Sequence, residues 1–159
     1  MVADIVALAA KPACFFPDRD RCGQHCRVMT QSHVGEWYRG YLTCLNEKRF
    51  GDLAEFVHDP VVHNDRTLAV AEFQDLLRRD AAEIPDLYYE IERLVIEGDE
   101  VACRIRFDCT PTSFRGLPPT GRPISFVEHV FYQYRNERIA QIWSMIDMDA
   151  IRDQLSTAQ

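Results

Sequence analysis

The sequence predicts an α+β domain, on three observations. Between Val34 and Leu77 the apolar residues recur at three- and four-residue steps, the period of helix faces. Beyond Pro85 the period falls to two and holds through four long runs. The pairs Gly98-Asp99 and Asn136-Glu137 divide those runs as hairpin turns. Helices first and a long antiparallel sheet after them is the α+β order. At 159 residues, 47% hydrophobic and 27% charged, the chain is the size of one ordinary globular domain that can bury a real core.

The first 28 residues, including KPACFFPDRDRCGQHCRV, are rich in Pro, Cys and charge and carry neither period. They are expected to be an extension, with the domain proper spanning residues 29–159. Cys22, His25 and Cys26 have thiols and an imidazole that suit zinc, but a structural site needs four ligands at another spacing, so no metal is expected. Val34, Trp37, Tyr38, Tyr41, Leu42 and Leu45 share one helix face. Phe50, Leu53, Phe56 and Val57 suggest a short second helix, and PVVHND a brief strand ended by Asn64-Asp65 turn chemistry. Ala69, Phe73, Leu76 and Leu77 mark a third helix closed by Pro85. LYYEIERLVI, VACRIRFDCT, PISFVEHVFYQY and RIAQIWSMID then read as strands, with MDAIRDQL as a closing helical turn.

Charge and hydropathy exclude several roles. A net charge of -7 with no concentrated Lys/Arg patch argues against nucleic acid or an anionic membrane surface. No apolar run approaches the roughly 20 residues that span a bilayer, and the short apolar start lacks the cationic segment of a signal peptide. A cytoplasmic location is the expectation. Cys44, Cys103 and Cys109 fall within expected helix or strand, where reduced cysteine acts as a small core hydrophobe.

The segments YRGYLTCLN, FVHDPVVHND, IPDLYYEIERL, GLPPTGRPISF and IWSMIDMDAIRDQL together resemble the SnoaL-like polyketide cyclase and ester cyclase group of the NTF2-like superfamily. The resemblance runs from about Gly35 to Leu155, and its most specific parts are the Pro-Pro-Thr-Gly-Arg loop and the Trp-x-x-x-Asp ending. It implies a cone, a strongly curved sheet wrapped around about three helices with a central pocket. It also implies cofactor-free chemistry in which a pocket aspartate moves a proton beside a carbonyl and sets up an intramolecular aldol closure. Asp147 matches that aspartate best, although Asn136-Glu137 replaces the usual Asp-Gly hairpin and Gln141 the usual acid before the tryptophan.

Counting outward from a two-residue turn at Asn136-Glu137 pairs Val130 with Trp143 and Phe126 with Asp147. One face then carries Glu128, Tyr132, Gln141, Trp143, Met145 and Asp147, with Glu128 and Asp147 as diagonal neighbours able to raise one another's proton affinity. The other carries Val127, His129, Phe131, Ile142 and Ile146, and either could be the inner wall. A one-residue bulge in the last strand would bring Asp147 beside His129 instead. Asp147 could instead cap the final helix.

His63 and Asn64 are candidates to hold a substrate oxygen, or simply a strand end and a turn. Tyr38 and Tyr41, with Trp37, could line the pocket or fill the core. Arg104 and Arg106 mark a solvated or dimer-facing outer side, so a homodimer is expected. The reading is a cofactor-free cyclase or isomerase acting on a hydrophobic carbonyl compound, with Asp147, His129 and Glu128 as the proton-transfer candidates. An epoxide or ester hydrolase is the alternative enzyme, and a non-catalytic binding or dimerisation module the alternative class.

Overall fold

The computed structural model describes residues 31–117 and 121–156. Its elements follow the expected order: α1 (Gln31–Asn46), a short 3-10 turn (Phe50–Asp52), α2 (Leu53–Phe56), β1 (Val57–His63), β2 (Arg66–Leu68), α3 (Val70–Glu83), β3 (Glu90–Glu97), β4 (Glu100–Cys109), β5 (Ile124–Arg135), β6 (Arg138–Ile146) and α4 (Met148–Ser156). Cys22, His25, Cys26 and Pro118 to Thr120 lie outside the described residues.

The six strands form one mixed sheet in the order β2-β1-β6-β5-β4-β3. β1 runs parallel to β6, and every other neighbouring pair is antiparallel. The sheet is curved and unclosed, and with the helices on its inner face it forms the expected cone. β5 is the spine. Its residues Ile124, Phe126, Val130, Tyr132 and Tyr134 are buried against the helices, while Ser125, His129, Phe131 and Arg135 point out. The same alternation sets Val101, Cys103, Ile105, Phe107 and Cys109 of β4 inward and Arg104 and Arg106 outward, where Arg104 pairs with Glu92 and Arg106 with Asp108.

α1 buries the expected stripe, including Val34, Tyr38, Tyr41, Leu42 and Leu45. Tyr38 packs on Tyr132 with ring centroids 5.1 Å apart. Cys44, Cys103 and Cys109 are free and buried. α3 begins where Glu72 accepts the Ala69 N–H at 2.8 Å and Asp59 accepts that of Val70 at 3.2 Å, which satisfies two donors left open by the first helical turn.

Two details depart from the sequence reading. β2, three residues long, is too short to show a period. Val57, expected in the second helix, opens β1, and the ring nitrogen of His58 beside it meets the Arg135 carbonyl oxygen at 2.6 Å.

Candidate active site

The β5–β6 register decides which side chains meet. The turn is as counted: Asn136 and Glu137 both have positive φ, 47° and 65°, and Arg135 pairs with Arg138 and Tyr134 with Ile139. The ladder then shifts, because Gln133 pairs with Gln141 rather than with Ala140. The extra residue in β6 flips every later side chain to the other face. Ile142, Ser144 and Ile146 therefore point inward beside Tyr132, Val130 and Glu128, while Trp143 and Met145 lie outside beside Phe131 and His129.

This bulge corrects the expected register. Asp147 does not face Phe126 or His129; its N–H donates to Val127 O at 3.2 Å. Its carboxylate is exposed and accepts the Ala150 N–H at 2.9 Å, so Asp147 is the N-cap of α4. His129 is exposed on the outer face, Trp143 shares that face, and Gln141 sits beside Gln133 away from the interior. Tyr38 is wholly buried in the core and does not reach the cavity.

Within the cone a cavity of about 360 Å³ opens between α3, the inner sheet face and the loop after β4. Of the sequence candidates, Glu128, Tyr132, Tyr41, His63 and Asn64 line it. Aromatic walls come from Tyr41, Phe73, Tyr89, Phe107, Phe126 and Tyr132. Phe107 and Phe126 stack 4.9 Å apart, and the His63 ring lies 5.9 Å from that of Phe73.

Glu128 is a carboxylate on the β5 wall of the cavity. It keeps the intermediate accessibility of a group opening onto a cavity, yet protein crowds its carboxyl. Burial raises its pKa above the ordinary 4.5, a hydrogen bond donated by the Ser144 hydroxyl to Oε1 pulls it back, and the charge of Asp80 pushes it up again. Arg115 acts against the rise. No second hydrogen bond to Glu128 exists among the described residues.

Asp80, whose pKa is likewise raised by burial, lines the cavity from α3. Burial lowers the pKa of His63 below 6.5, and Arg115 and Arg66 push the same way, so its imidazole is neutral at pH 7. The phenols of Tyr41, Tyr89 and Tyr132 are raised by burial and stay protonated.

The rim is tied down by α3. Glu83 accepts Thr112 N–H at 2.9 Å through its backbone oxygen and Arg115 N–H at 3.0 Å through its carboxylate. Asp86 accepts Thr110 N–H at 2.9 Å. That fastening sets Arg115, at φ 45°, beside the cavity with its guanidinium 5.6 Å from the Phe114 ring centre.

Asn64 also lines the cavity, but its amide is committed at both ends. It donates to Ser144 O at 3.1 Å and accepts Ser144 N–H at 2.8 Å.

Sequence reasoning missed Asp80, Ser144 and Arg115. Asp80 had a signal: it falls three residues after Leu77 and four before Ile84, on the apolar stripe of α3. Ser144 needed the bulge, and Arg115 a loop without period.

The model of the SnoaL-like polyketide cyclase family matches residues 35–155. The chain belongs to the SnoaL-like polyketide cyclase family. It is similar to the crystal structure of a SnoaL-like polyketide cyclase from Agrobacterium tumefaciens, at 42% identity and a TM-score of 0.75, covering 80% of this chain and 100% of that one. TsrD from Streptomyces laurentii matches at 23% identity, TM-score 0.73, over 82% of this chain and 99% of that one. IdmH from Streptomyces antibioticus matches at 22%, TM-score 0.69, over 77% and 97%. These last two likenesses speak for the fold alone, the NTF2-like cone. No curated protein matches. Among the described residues, no helix is long and apolar enough to cross a membrane.

Proposed function

We propose that the chain is a cyclase of small hydrophobic carbonyl compounds, working by carboxylate-mediated proton transfer without a cofactor. The observation that carries this is Glu128: a carboxylate of raised proton affinity in an aromatic cavity, with one oxygen held by Ser144 and the other open. Desolvation makes such a carboxylate a stronger base than one in water. Ionised Glu128 takes a proton from the carbon beside a carbonyl. The resulting enolate closes on a second carbonyl of the same molecule, and the proton returns to the new alkoxide. Neutral His63 donates a hydrogen bond to a substrate oxygen, and the aromatic walls hold the molecule folded. The 42% identity to a protein described as a SnoaL-like polyketide cyclase supports the same reading.

The test is incubation with linear aromatic β-keto esters, followed by mass spectrometry. The expected product is a cyclised isomer, or that isomer less one water. A product heavier by one water would reject cyclisation in favour of a hydrolase, and no conversion across a broad panel would favour a binding module.

The protein acts as a homodimer through the outer sheet face. Val95, Ala102, Phe131 and Trp143 align across four strands, with Arg93, Arg104, His129 and Met145 in the next row. Exposures of 55% for Val95, 56% for Phe131 and 68% for Met145 leave a continuous apolar belt that a second copy would cover.

A further inference from the structure

We infer that Asn64 is a positioning residue of the site: through the backbone of Ser144 it aims the Ser144 hydroxyl at Glu128. This rests on the reading of Glu128 as the proton-transfer group and adds what sets its working state.

β1 pairs with β6 only as far as His63 and Ile142, so the next stretch of β6 would lose its neighbour. Asn64 turns out of the strand at φ 45°, a left-handed conformation that asparagine tolerates. Its own N–H still donates to Ile142 O at 2.9 Å. Its side-chain amide then replaces the missing strand, accepting Ser144 N–H at 2.8 Å and donating to Ser144 O at 3.1 Å. An amide presents one donor and one acceptor side by side, as a backbone does; aspartate has no donor and serine cannot reach both. Ser144 lies opposite Val130 in the β5–β6 ladder, and its own N–H and C=O are both bonded by Asn64. Its hydroxyl can donate only one hydrogen, and that hydrogen goes to Glu128 Oε1.

The groups facing Glu128 come from several elements. Asp80 looks in from α3, Arg115 from the loop after β4, Cys103 from β4, Tyr41 from α1, Tyr89 from the segment before β3, and Tyr132 from β5 itself. Ser144 is the one side-chain hydrogen-bond donor to Glu128 among the described residues. A donor to the ionised carboxylate favours ionisation, so the direction of Asn64's influence is fixed: it keeps Glu128 ionised, and available as a base, down to lower pH.

The test reads Glu128 directly, without turnover. Carboxyl titration is followed by ¹³C NMR on Glu-labelled protein, with Glu128→Gln identifying the signal. Ser144→Ala should raise the proton affinity of Glu128 about tenfold, the scale of one hydrogen bond to a charged group. Asn64→Gly, which suits the positive φ but deletes the amide, should move it the same way by less. Ser144→Thr should restore the wild-type titration. Should Asn64→Gly not fold, Asn64→Gln, which carries the amide one methylene too far, is read in the same way.

An unmoved titration in the Asn64 variants, with Ser144→Ala shifted, would overturn the role of Asn64 and leave it a strand-end lock. Unmoved titration in Ser144→Ala as well would overturn the whole relay. Neither result touches the proposed reaction, which fails separately if Glu128→Gln retains full activity.

Discussion

Replacing Glu128 by Gln should make the protein more stable at neutral pH, and by an amount that depends on pH. The amide keeps the carboxyl's shape and an oxygen for the Ser144 hydroxyl. What disappears is a negative charge in a crowded, mostly aromatic wall, with its second oxygen lacking a hydrogen bond among the described residues. An unsatisfied buried polar atom costs about 1–3 kcal/mol and a charged one more, while the amide leaves its own NH₂ there, so the net gain is about 1–2 kcal/mol. For a domain matched over residues 35–155 that is a rise in Tm of roughly 4–8 °C. The pKa of Glu128 is raised on folding, so its stability contribution is full below the ordinary 4.5 and is lost as pH rises through the folded-state midpoint. Below pH 4.5 both side chains are neutral and the two proteins should melt together; above the folded-state midpoint the variant should melt higher. Thermal melts by circular dichroism at pH 4 and pH 7.5 make the comparison. A variant less stable at pH 7.5, or an offset equal at both pH values, would refute the burial argument.

Further outcomes follow from other parts of the structure. Asp147→Ala should lose about 1 kcal/mol of stability through the α4 cap, and Asp147→Asn almost none, in urea denaturation. His63 has a lowered folded-state pKa, so its contribution is full above 6.5 and is lost as pH falls through that window; His63→Gln should flatten stability between pH 7 and 5, measured by melts. Light scattering should give the wild type twice the chain's 18.4 kDa, and Phe131→Glu, which places a charge in the outer belt, should return it to the monomer mass with its fold intact.

Much of the fold was legible because its signals are local. The stripe from Val34 to Leu45 and the alternation from Ile124 to Tyr134 each report one buried face of one element. The site was only partly legible, because it depends on how elements meet. Glu128, His63, Tyr41 and Tyr132 were found as polar or aromatic residues on inward-capable positions. The last strand was misread through a single residue. Ile139 and Ile142 are both buried three apart, which an unbroken strand cannot do, so a bulge was written in IAQI. Counting through it without the bulge put Trp143 and Asp147 on the face of Glu128, where the chain places Ser144. Asp80 could have been found as a carboxylate on the apolar stripe of α3. Arg115 could not, since its place is fixed by Glu83 and Asp86 binding a loop, contacts with no sequence period.

Hydrogen exchange at the activated carbon tests the central claim most directly, that Glu128 and not Asp147 moves the proton. An aromatic β-keto ester is incubated in D₂O with the wild type, Glu128→Gln and Asp147→Asn, and loss of the α-hydrogen signal above the uncatalysed rate is followed by NMR. Glu128→Gln should exchange roughly a hundredfold to ten-thousandfold more slowly than the wild type, with Asp147→Asn unchanged. Full exchange by Glu128→Gln, or its loss in Asp147→Asn, would contradict the account.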